Sequence, residues 1–590
     1  MNSFSSTIRA EERLDVAHLT LLIGAALIRF VNLGFLDLQA WDEALYAVRA
    51  QAVVQGGLWV DQTALAIDGL YSSLHPPLYV WCTSLAYQLL GISEVSARLV
   101  SALSGGTTVF AIYYLGKELH SKQTGIMAAL FFAFTPFTVF YSRQGQFDTL
   151  LVLFLTLSVL AVVKGMRRPQ RFQQLLAGLF LGCALMTKLF IACGIPVVYA
   201  LWIFATHPEN RRDHWRAMAV ILLAASTVAI PWHVYMIIHH GDGNPFFFFE
   251  SSAIVQRALF GIEGNVKPLE ILYYPNQLLV LFPFGTCAFL YWAWRSAKTR
   301  DPRWMFLTLW FLFFFAVFSL MRTKLAVYLL PMLVPASLLA GRTLEDLGEG
   351  VMEGRASRVI VAGTIFSVIW AASQLGRDAV KGIVSSALSL QLPGSNTFNT
   401  GVIFLLVVVV GCGIPIAILR GRLAPLSRYF PPLSLLALFT ISAATVVMLD
   451  PVQYDDGATS FASFVKRSQV KNIVVAGYER NPQLTYYLKG ADIGWRDDLH
   501  VRRIVPPSDT SLYTFWIRQE MIGEPASTLL LVEKDKFIRY KVINPISFLA
   551  DGYVRVFESR RYAAFIVGRS DFLASGGNPW RNRDAALAVY

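Results

Sequence analysis

Asp42 and Glu43 stand side by side in LQAWDEALYAVRAQ (38–51), just past the first long apolar stretch of the chain. Carboxylates at the edge of hydrocarbon are costly unless they face water or a partner, so an adjacent pair there is a candidate site. A third carboxylate, Asp148, closes YSRQGQFD (141–148). Cationic and polar groups sit in comparable positions: His75 in HPPLY, Lys188 in TKLF, Arg257, and Arg322, Lys324 and Tyr328 in SLMRTKLAVY. Trp41, Tyr46, Tyr71, Tyr79 and Trp81 could wall a groove against lipid and sugar. This set suits transfer of a group from a lipid phosphate to an acceptor hydroxyl. A carboxylate takes the acceptor proton and cations stabilise the phosphate that leaves. No nucleotide-binding GxxxxGK[ST] is present.

Each residue also has a structural reading. Asp42 and Glu43 could cap an interfacial helix, and Asp148 could be the N-cap of the span that follows it. Lys188, Arg257, Arg322 and Lys324 could be interface anchors with snorkelling head groups, and Tyr328 an aromatic-belt residue. Capping does not need two carboxylates, and loops converging above a rigid scaffold are where sites are usually built.

The elements that would position these groups follow from composition. Of 590 residues, 55% are hydrophobic and only 15% charged, with mean hydropathy +0.50; a soluble chain carries about a quarter charged residues. Apolar runs long enough to cross a bilayer recur from Ala17 to Leu449, so the chain reads as a polytopic helical membrane protein. The net charge of +12 does not point to nucleic acid, because Lys and Arg gather in short turns between apolar runs, where they set orientation. Arg9 and Arg13 precede the first run and no cleavage site follows it, which predicts an uncleaved anchor with a cytoplasmic N-terminus. Cys82, Cys183, Cys193, Cys287 and Cys412 lie in apolar segments without a CxxC and read as buried thiols.

Charge parity sets the count. The cationic turns at 116–123, 164–171, 207–216, 295–303, 341–358 and 420–428 all return to the cytoplasm only if PPLYVWCTSLAYQLLGI (76–92) lies flat at the interface. The spans are then 17–35, 96–116, 124–141, 147–164, 173–188, 190–206, 216–238, 276–295, 303–320, 324–341, 358–376, 400–420 and 431–450, thirteen in all. Residues 1–450 form the transmembrane domain, with interfacial helices in its first outer loop. Residues 451–590 form an extracytoplasmic soluble α/β domain, with helical patterns at 459–467 and 482–490 and strand patterns at 472–478, 528–533 and 562–568.

Several stretches together resemble a known family. DEALYA, HPPLYVW followed by SARLVSAL (96–103), SRQGQFDTLLVLF (142–154), GLFLGCALMTKLF (178–190), PWHVYM (231–236) and TKLAVYLLPMLVPASLLAG (323–341) are similar, in consistent order, to the polyprenyl-phosphate-sugar-dependent glycosyltransferases of the GT-C fold. The nearest branch is that of the aminoarabinose lipid A transferases and relatives of protein O-mannosyltransferases. The resemblance implies an inverting single displacement from a polyprenyl phosphate on the extracytoplasmic face of a bacterial inner membrane. It makes Asp42 the general base or acceptor-orienting carboxylate, with Glu43 beside it and Asp148 as the second acidic position. His75 falls in a [K/H]PP motif near the donor phosphate, where the lipid A enzymes carry lysine, so this chain departs toward the mannosyltransferase-like pattern. Lys188 matches a TKG-like motif with Leu189 in place of glycine. Arg257 corresponds loosely to an arginine of the fourth outer loop, and Tyr328 to the tyrosine of K-x-x-x-Y-x-x-P beside Lys324. Some members use a divalent metal; the carboxylates could hold one, but no dense ligand cluster marks an obligatory ion. The lipid, glycan or protein that accepts the sugar is not legible.

A membrane transporter or flippase of a lipid-linked sugar is the alternative. It would favour polar residues at mid-membrane depth and broken helices in paired halves, which the largely apolar spans lack. The topology has a direct test. Reporter fusions after residues 120, 168, 212 and 299 should report cytoplasm and one after 455 the outside; a cytoplasmic signal at 94 would end the flat-helix assignment.

Overall fold

The computed structural model describes residues 16–39, 42–63, 75–167, 171–248, 270–352, a few positions between 356 and 367, and seven segments between 457 and 567. The chain divides into two compact units. The first comprises Met1–Asn32, Leu74–Tyr79 and Arg98–Met448; the second comprises Leu33–Ser73, Val80–Ala97 and Leu449–Tyr590. Arg257 and the expected spans at 400–420 and 431–450 lie outside the described residues, as does most of 358–376.

The first unit is a helical bundle. Its helices are α1 (Val16–Leu27), continued by a 3-10 turn at Ile28–Phe30, and, numbered past two helices of the second unit, α4 (Glu94–Leu119), α5 (Lys122–Phe134), α6 (Pro136–Ser142), α7 (Asp148–Arg167), α8 (Arg171–Leu185), the short α9 (Leu189–Ala192) and α10 (Gly194–Thr206). There follow α11 (Arg211–His240), α12 (Tyr273–Leu281), α13 (Pro283–Thr299), α14 (Pro302–Leu320) and, after a 3-10 turn at Ala326–Leu329, α15 (Leu330–Gly348). Among the described residues six helices are long and apolar enough to cross a membrane, or up to eight if each bent pair is one span.

Two expected spans are bent. Residues 124–141 divide into α5 and α6, which meet at 66°, and the segment read as one span over 276–295 divides into α12 and α13, which meet at 117°. Both breaks precede a proline: Thr135 and Phe282 hold extended or irregular backbone, and Pro136 and Pro283 open the next helix. The proline ring forbids helical geometry in the residue before it and offers no N–H, while its fixed φ suits the first helical turn. The segment over 276–295, expected as one straight helix, is therefore two helices that meet at Pro283.

Helix α15 is the centre of the bundle: 89% of its apolar window is buried, against 28% for α11, whose Leu223 and Ile238 point outward. Close approaches need glycine. A Cβ on Gly341 would stand 2.4 Å from the Ala128 backbone nitrogen of α5. On Gly178 and Gly182, the GxxxG of α8, it would meet the Ile221 and Ala225 carbonyl oxygens of α11 at 2.6 and 2.9 Å. Small residues at this spacing let helix backbones touch where lipid gives no hydrophobic drive. Cys193, expected to be buried, is exposed where α9 gives way to α10; a thiol is apolar enough to stand on a bundle surface.

At the other end of α15, Glu345 and Asp346 are buried and share Arg342, at 3.0 and 2.5 Å. Glu345 also accepts hydrogen bonds from Ser121, at 2.6 Å, and from Thr124, which pins the α4–α5 turn to α15. His120 lies 3.8 Å from Glu345.

The second unit contains α2 (Asp42–Gly56), most of α3 (Leu78–Leu90) and the C-terminal elements. Arg49 on α2 is buried and donates to Gln62 Oε1 at 3.0 and 2.7 Å, and Trp81 Nε1 on α3 donates to the Trp59 carbonyl. The C-terminal elements are α16 (Ala458–Arg467), β1 (Asn472–Ala476), α17 (Pro482–Tyr487), β2 (His500–Ile504), β3 (Thr528–Glu533), β4 (Tyr553–Glu558) and β5 (Tyr562–Val567). The strands form one sheet in the order β2-β1-β3-β5-β4. β1 is parallel to β2 and β3, with Asn472 opposite His500 and Thr528, whereas β5 runs antiparallel to β3 and β4. Val- and Leu-rich strands of this kind are buried on both sides, as Ile473, Val474, Leu529 and Leu530 are.

His120 gives the bundle a pH signature. Burial, and next the Arg342 guanidinium, push it down from 6.5 to about 4. The unfolded chain then binds a proton between those values that the folded chain refuses, so this contribution to stability is complete above about pH 6.5 and declines as the pH falls toward about 4. His120→Gln should flatten the fall of the thermal midpoint over that window in detergent, and an unchanged slope would assign the acid sensitivity elsewhere.

Candidate functional site

In the first unit, the N-terminus of α7 and the turn after α8 come together. Asp148 opens α7, where the helix dipole favours a negative charge, and is 8% exposed. Lys188 follows the last turn of α8, its amide bonded to the Ala184 carbonyl and its own backbone extended as the residue before α9. Its ammonium donates to Asp148 Oδ1 at 3.1 Å. Two rings flank that ammonium: Phe147, 4.6 Å to the centroid, and Tyr328, 5.2 Å to the centroid. A cation over aromatic faces gains attraction that rises as water is removed.

The neighbours fix this arrangement. Tyr328, in the 3-10 turn before α15, stacks on Phe318 of α14 at 4.7 Å. The His75 ring stands 5.2 Å from the Phe147 ring. Past the two prolines, the Leu78 amide donates to the Met186 carbonyl beside the lysine turn, which ties the HPP segment to TKL. Ser101 on α4 holds the loop before Asp148: its hydroxyl donates to the Gln146 carbonyl at 2.8 Å, accepts from the Gln146 amide, and lies 3.0 Å from the Tyr79 hydroxyl.

Asp148, Lys188, Tyr328 and His75 are thus gathered around Phe147. The others are placed differently. Lys324 is buried, and its ammonium donates to carbonyls at the end of α14: Phe318 at 3.0 Å, Ser319 at 2.6 Å, and Met321. A lysine at a helix C-terminus satisfies carbonyls that lack an intrahelical partner, and here it also sets the turn leading to Tyr328. Arg322 is exposed, and Arg257 lies outside the described residues.

The acidic pair of the second unit divides its labour. Glu43 is 1% exposed and accepts from the Gln39 amide at 2.7 Å, closing the first turn of α2, while Asp42 at the helix start is exposed. One carboxylate caps, and the other faces outward.

Three arginines beside the Asp148 loop carry more positive charge than the sequence analysis assigned. Arg143 donates to the Asn32 carbonyl at 3.4 Å and to the Val31 carbonyl, so it ties the loop to the exit of α1. Burial, and then the nearby Arg98, hold its pKa down at about 10. Arg29 is fully buried; a Cβ on Gly105 would lie 3.0 Å from its Nε and 2.1 Å from Ser142 Oγ. Its Nη1 donates to Ala25, and Nε and Nη2 have no partner among the described residues. An arginine at the end of a first span looks like an orientation signal, so nothing in its local pattern marks burial.

Comparisons with known proteins extend this picture. A family model described as dolichyl-phosphate-mannose-protein mannosyltransferase matches residues 74–234, the stretch that holds His75, Asp148 and Lys188. The undecaprenyl phosphate-alpha-4-amino-4-deoxy-L-arabinose arabinosyl transferase of Pseudomonas aeruginosa (strain UCBPP-PA14) is 29% identical over 339 residues, 55% of this chain and 59% of that protein. The protein of the same name from Shewanella sediminis (strain HAW-EB3) is 27% identical over 360 residues, 58% of this chain and 62% of that one. The matched region thus spans about three fifths of these relatives. The crystal structure of ArnT from Cupriavidus metallidurans bound to undecaprenyl phosphate superposes with TM-score 0.64 and 17% identity, over 94% of this chain and 98% of that one. The archaeal oligosaccharyltransferase AglB from Archaeoglobus fulgidus, in complex with an inhibitory peptide and a dolichol-phosphate, does so at 0.50 and 13%, over 94% and 75%. The fold is that of the helical membrane glycosyltransferases, the GT-C fold. Within that class the chain is similar to the aminoarabinose transferases.

The pairing of Asp148 with Lys188 is measurable. Both side chains are more than four-fifths buried, so removing one partner strands the other. Thermal unfolding of Lys188→Met, Asp148→Asn and the double variant should give a coupling energy of about 1–3 kcal/mol, and strict additivity would mean the two charges do not support each other.

Proposed function

We propose that this chain is an integral-membrane glycosyltransferase that moves a sugar from a polyprenyl phosphate to an acceptor hydroxyl or phosphate. The observation that carries this reading is the Lys188 ammonium held against Asp148 and flanked by Phe147 and Tyr328, in a fold shared with a transferase solved with undecaprenyl phosphate. The reading includes thirteen spans, a cytoplasmic N-terminus and residues 451–590 outside a bacterial inner membrane, as charge parity predicts.

The chemistry is an inverting single displacement. The acceptor oxygen forms a bond to the anomeric carbon as the bond from that carbon to the phosphate oxygen breaks. The acceptor proton goes to Asp42, and the electron pair stays on the phosphate, whose developing charge faces Lys188 and His75. Tyr328 walls the ammonium, and Arg257 and Arg322 supply further positive charge to the phosphate. Asp148 orients Lys188, so that its ammonium needs no reorganisation when charge develops. Glu43 shapes the helix that carries Asp42, and Lys324 shapes the turn that carries Tyr328. A divalent ion is compatible with two carboxylates; no group of three or more His, Cys, Asp and Glu able to hold one occurs among the described residues. Aminoarabinose is the donor sugar of the relatives by name, and His75 in place of lysine favours testing mannose beside it.

The experiment uses membranes supplied with undecaprenyl-phosphate-linked aminoarabinose, mannose or glucose, with mass spectrometry of released undecaprenyl phosphate and of envelope glycans and lipids. Wild type should consume one donor. Asp42→Asn should insert normally and lower turnover by about 100-fold or more, the usual worth of a positioned base. Near-normal turnover in Asp42→Asn would remove the base role, and donor translocated but not consumed would favour the transporter.

A further inference from the structure

The stretch between α1 and α2 carries Asp42 at its end, and its backbone has no regular ladder to join. Three successive residues there are nevertheless held one by one. Asp37 accepts through its carboxylate from the Thr459 amide at 3.0 Å and from the Thr459 hydroxyl, at the first turn of α16. The Leu38 amide donates to the Tyr487 hydroxyl at 2.9 Å, and the Leu38 carbonyl accepts from Gln483 Nε2 at 2.7 Å. Gln39 donates its amide to Glu43 and accepts at its carbonyl from the Ala44 amide. Gln483 and Tyr487 are four apart on α17, so both reach the same peptide from one helix face. Behind them the Tyr562 hydroxyl of β5 donates to Gln483 Oε1 at 2.5 Å, which fixes the amide so that its nitrogen faces Leu38.

The bonds from Gln483 to Leu38 and from Tyr562 to Gln483 are dry, whereas Asp37 and Thr459 meet at the surface. Leu38, Gln483 and Tyr562 are all 0% exposed. Around Gln483 water therefore cannot replace a lost partner, and removing one leaves a buried polar group unpaired. A six-residue helix with two side chains spent on one distant peptide is more than sheet packing requires. Hydrophobic contact alone would keep the C-terminal domain in place without specifying a backbone position to within a hydrogen bond.

The geometry points to a task for the C-terminal domain: Gln483, Tyr487 and Tyr562, with Thr459, act as positioning residues that clamp the backbone at residues 37–38 and thereby set the place of Asp42. This rests on the role given to Asp42 above. A general base must come within hydrogen-bond reach of the proton it takes, and a displacement of about 1 Å can cost 100-fold in rate. Capping by Glu43 shapes the first turn of α2 but cannot fix where that turn stands; the long-range bonds to α16 and α17 supply the missing constraint.

The test uses the full chain in lipid nanodiscs, with Tyr487→Phe to delete the acceptor for the Leu38 amide while keeping the ring, and Thr459→Val as an independent lesion at Asp37. Hydrogen–deuterium exchange is followed in peptides covering 33–45 and, as a control, 472–476 and 528–533. Turnover is measured with the same three undecaprenyl-phosphate sugars. Either variant should speed exchange in 33–45 without change in the strands. kcat should fall by about tenfold or more, with KM for the donor held within about twofold, the pattern of a lost transition-state contact. Unchanged exchange in 33–45 overturns the clamp, and faster exchange with wild-type kcat overturns its link to Asp42. A raised donor KM at unchanged kcat does the same, because the domain would then serve donor binding. If Tyr487→Phe loosens the strands too, Thr459→Val decides. A wild type inert toward all three donors removes the glycosyltransferase reading, while the exchange of 33–45 still judges the clamp.

Discussion

A charge taken largely out of water needs an opposite charge beside it, and the 3.1 Å contact of Asp148 with Lys188 supplies one. Much of the first unit can be read as support for it. The N-terminus of α7 presents Asp148 to a favourable dipole, and the GxxxG of α8 brings that helix close to α11, which fixes the turn that carries Lys188. Phe147 and Tyr328 flank the ammonium with aromatic faces, and the Leu78–Met186 bond draws the histidine segment to the same place. A pair of this kind does little for stability by itself, since desolvation consumes most of the attraction. Its worth is geometric, because it leaves one cation pointing in one direction.

Charge in an apolar sequence is rare enough to be informative, which is why Asp148, Lys188, Tyr328 and His75 were legible before any coordinates. The helical bundle was legible for the same reason, since apolar runs alternate with cationic turns. Lys324 illustrates the limit. Sequence shows a lysine after an apolar run, but only geometry shows its ammonium turned back to three carbonyls. The break at Phe282–Pro283 had a local signal, and hydropathy averaged over a window conceals it. Glu43 and Asp42 look equivalent in the sequence, yet a rotation of one residue along a helix buries the first and exposes the second. The bond from Gln483 to Leu38 spans 445 residues of chain, and no periodicity or composition announces a contact of that kind.

The buried polar networks fall into two kinds. Around Glu345 and around Leu38 the bonds are dense and join segments far apart in the chain, so they specify how elements meet. Around Arg29 donors remain without protein partners among the described residues. In an interior this is affordable only where an ordered water or another polar group completes the shell. The contrast separates regions whose purpose is registry from one whose polar capacity is not yet spent.

The central position of α15 has a consequence for how the surrounding lipid is felt. With 89% of its apolar window enclosed by protein, this helix has little surface left to offer lipid, whereas α11, at 28%, keeps most of its own outside the bundle. Thickening or thinning of the bilayer therefore strains α11 first, through tilt and hydrophobic mismatch. Such strain reaches the turn that presents Tyr328 only after passing through the packed interior, so the aromatic wall of the cation is insulated from changes in membrane composition.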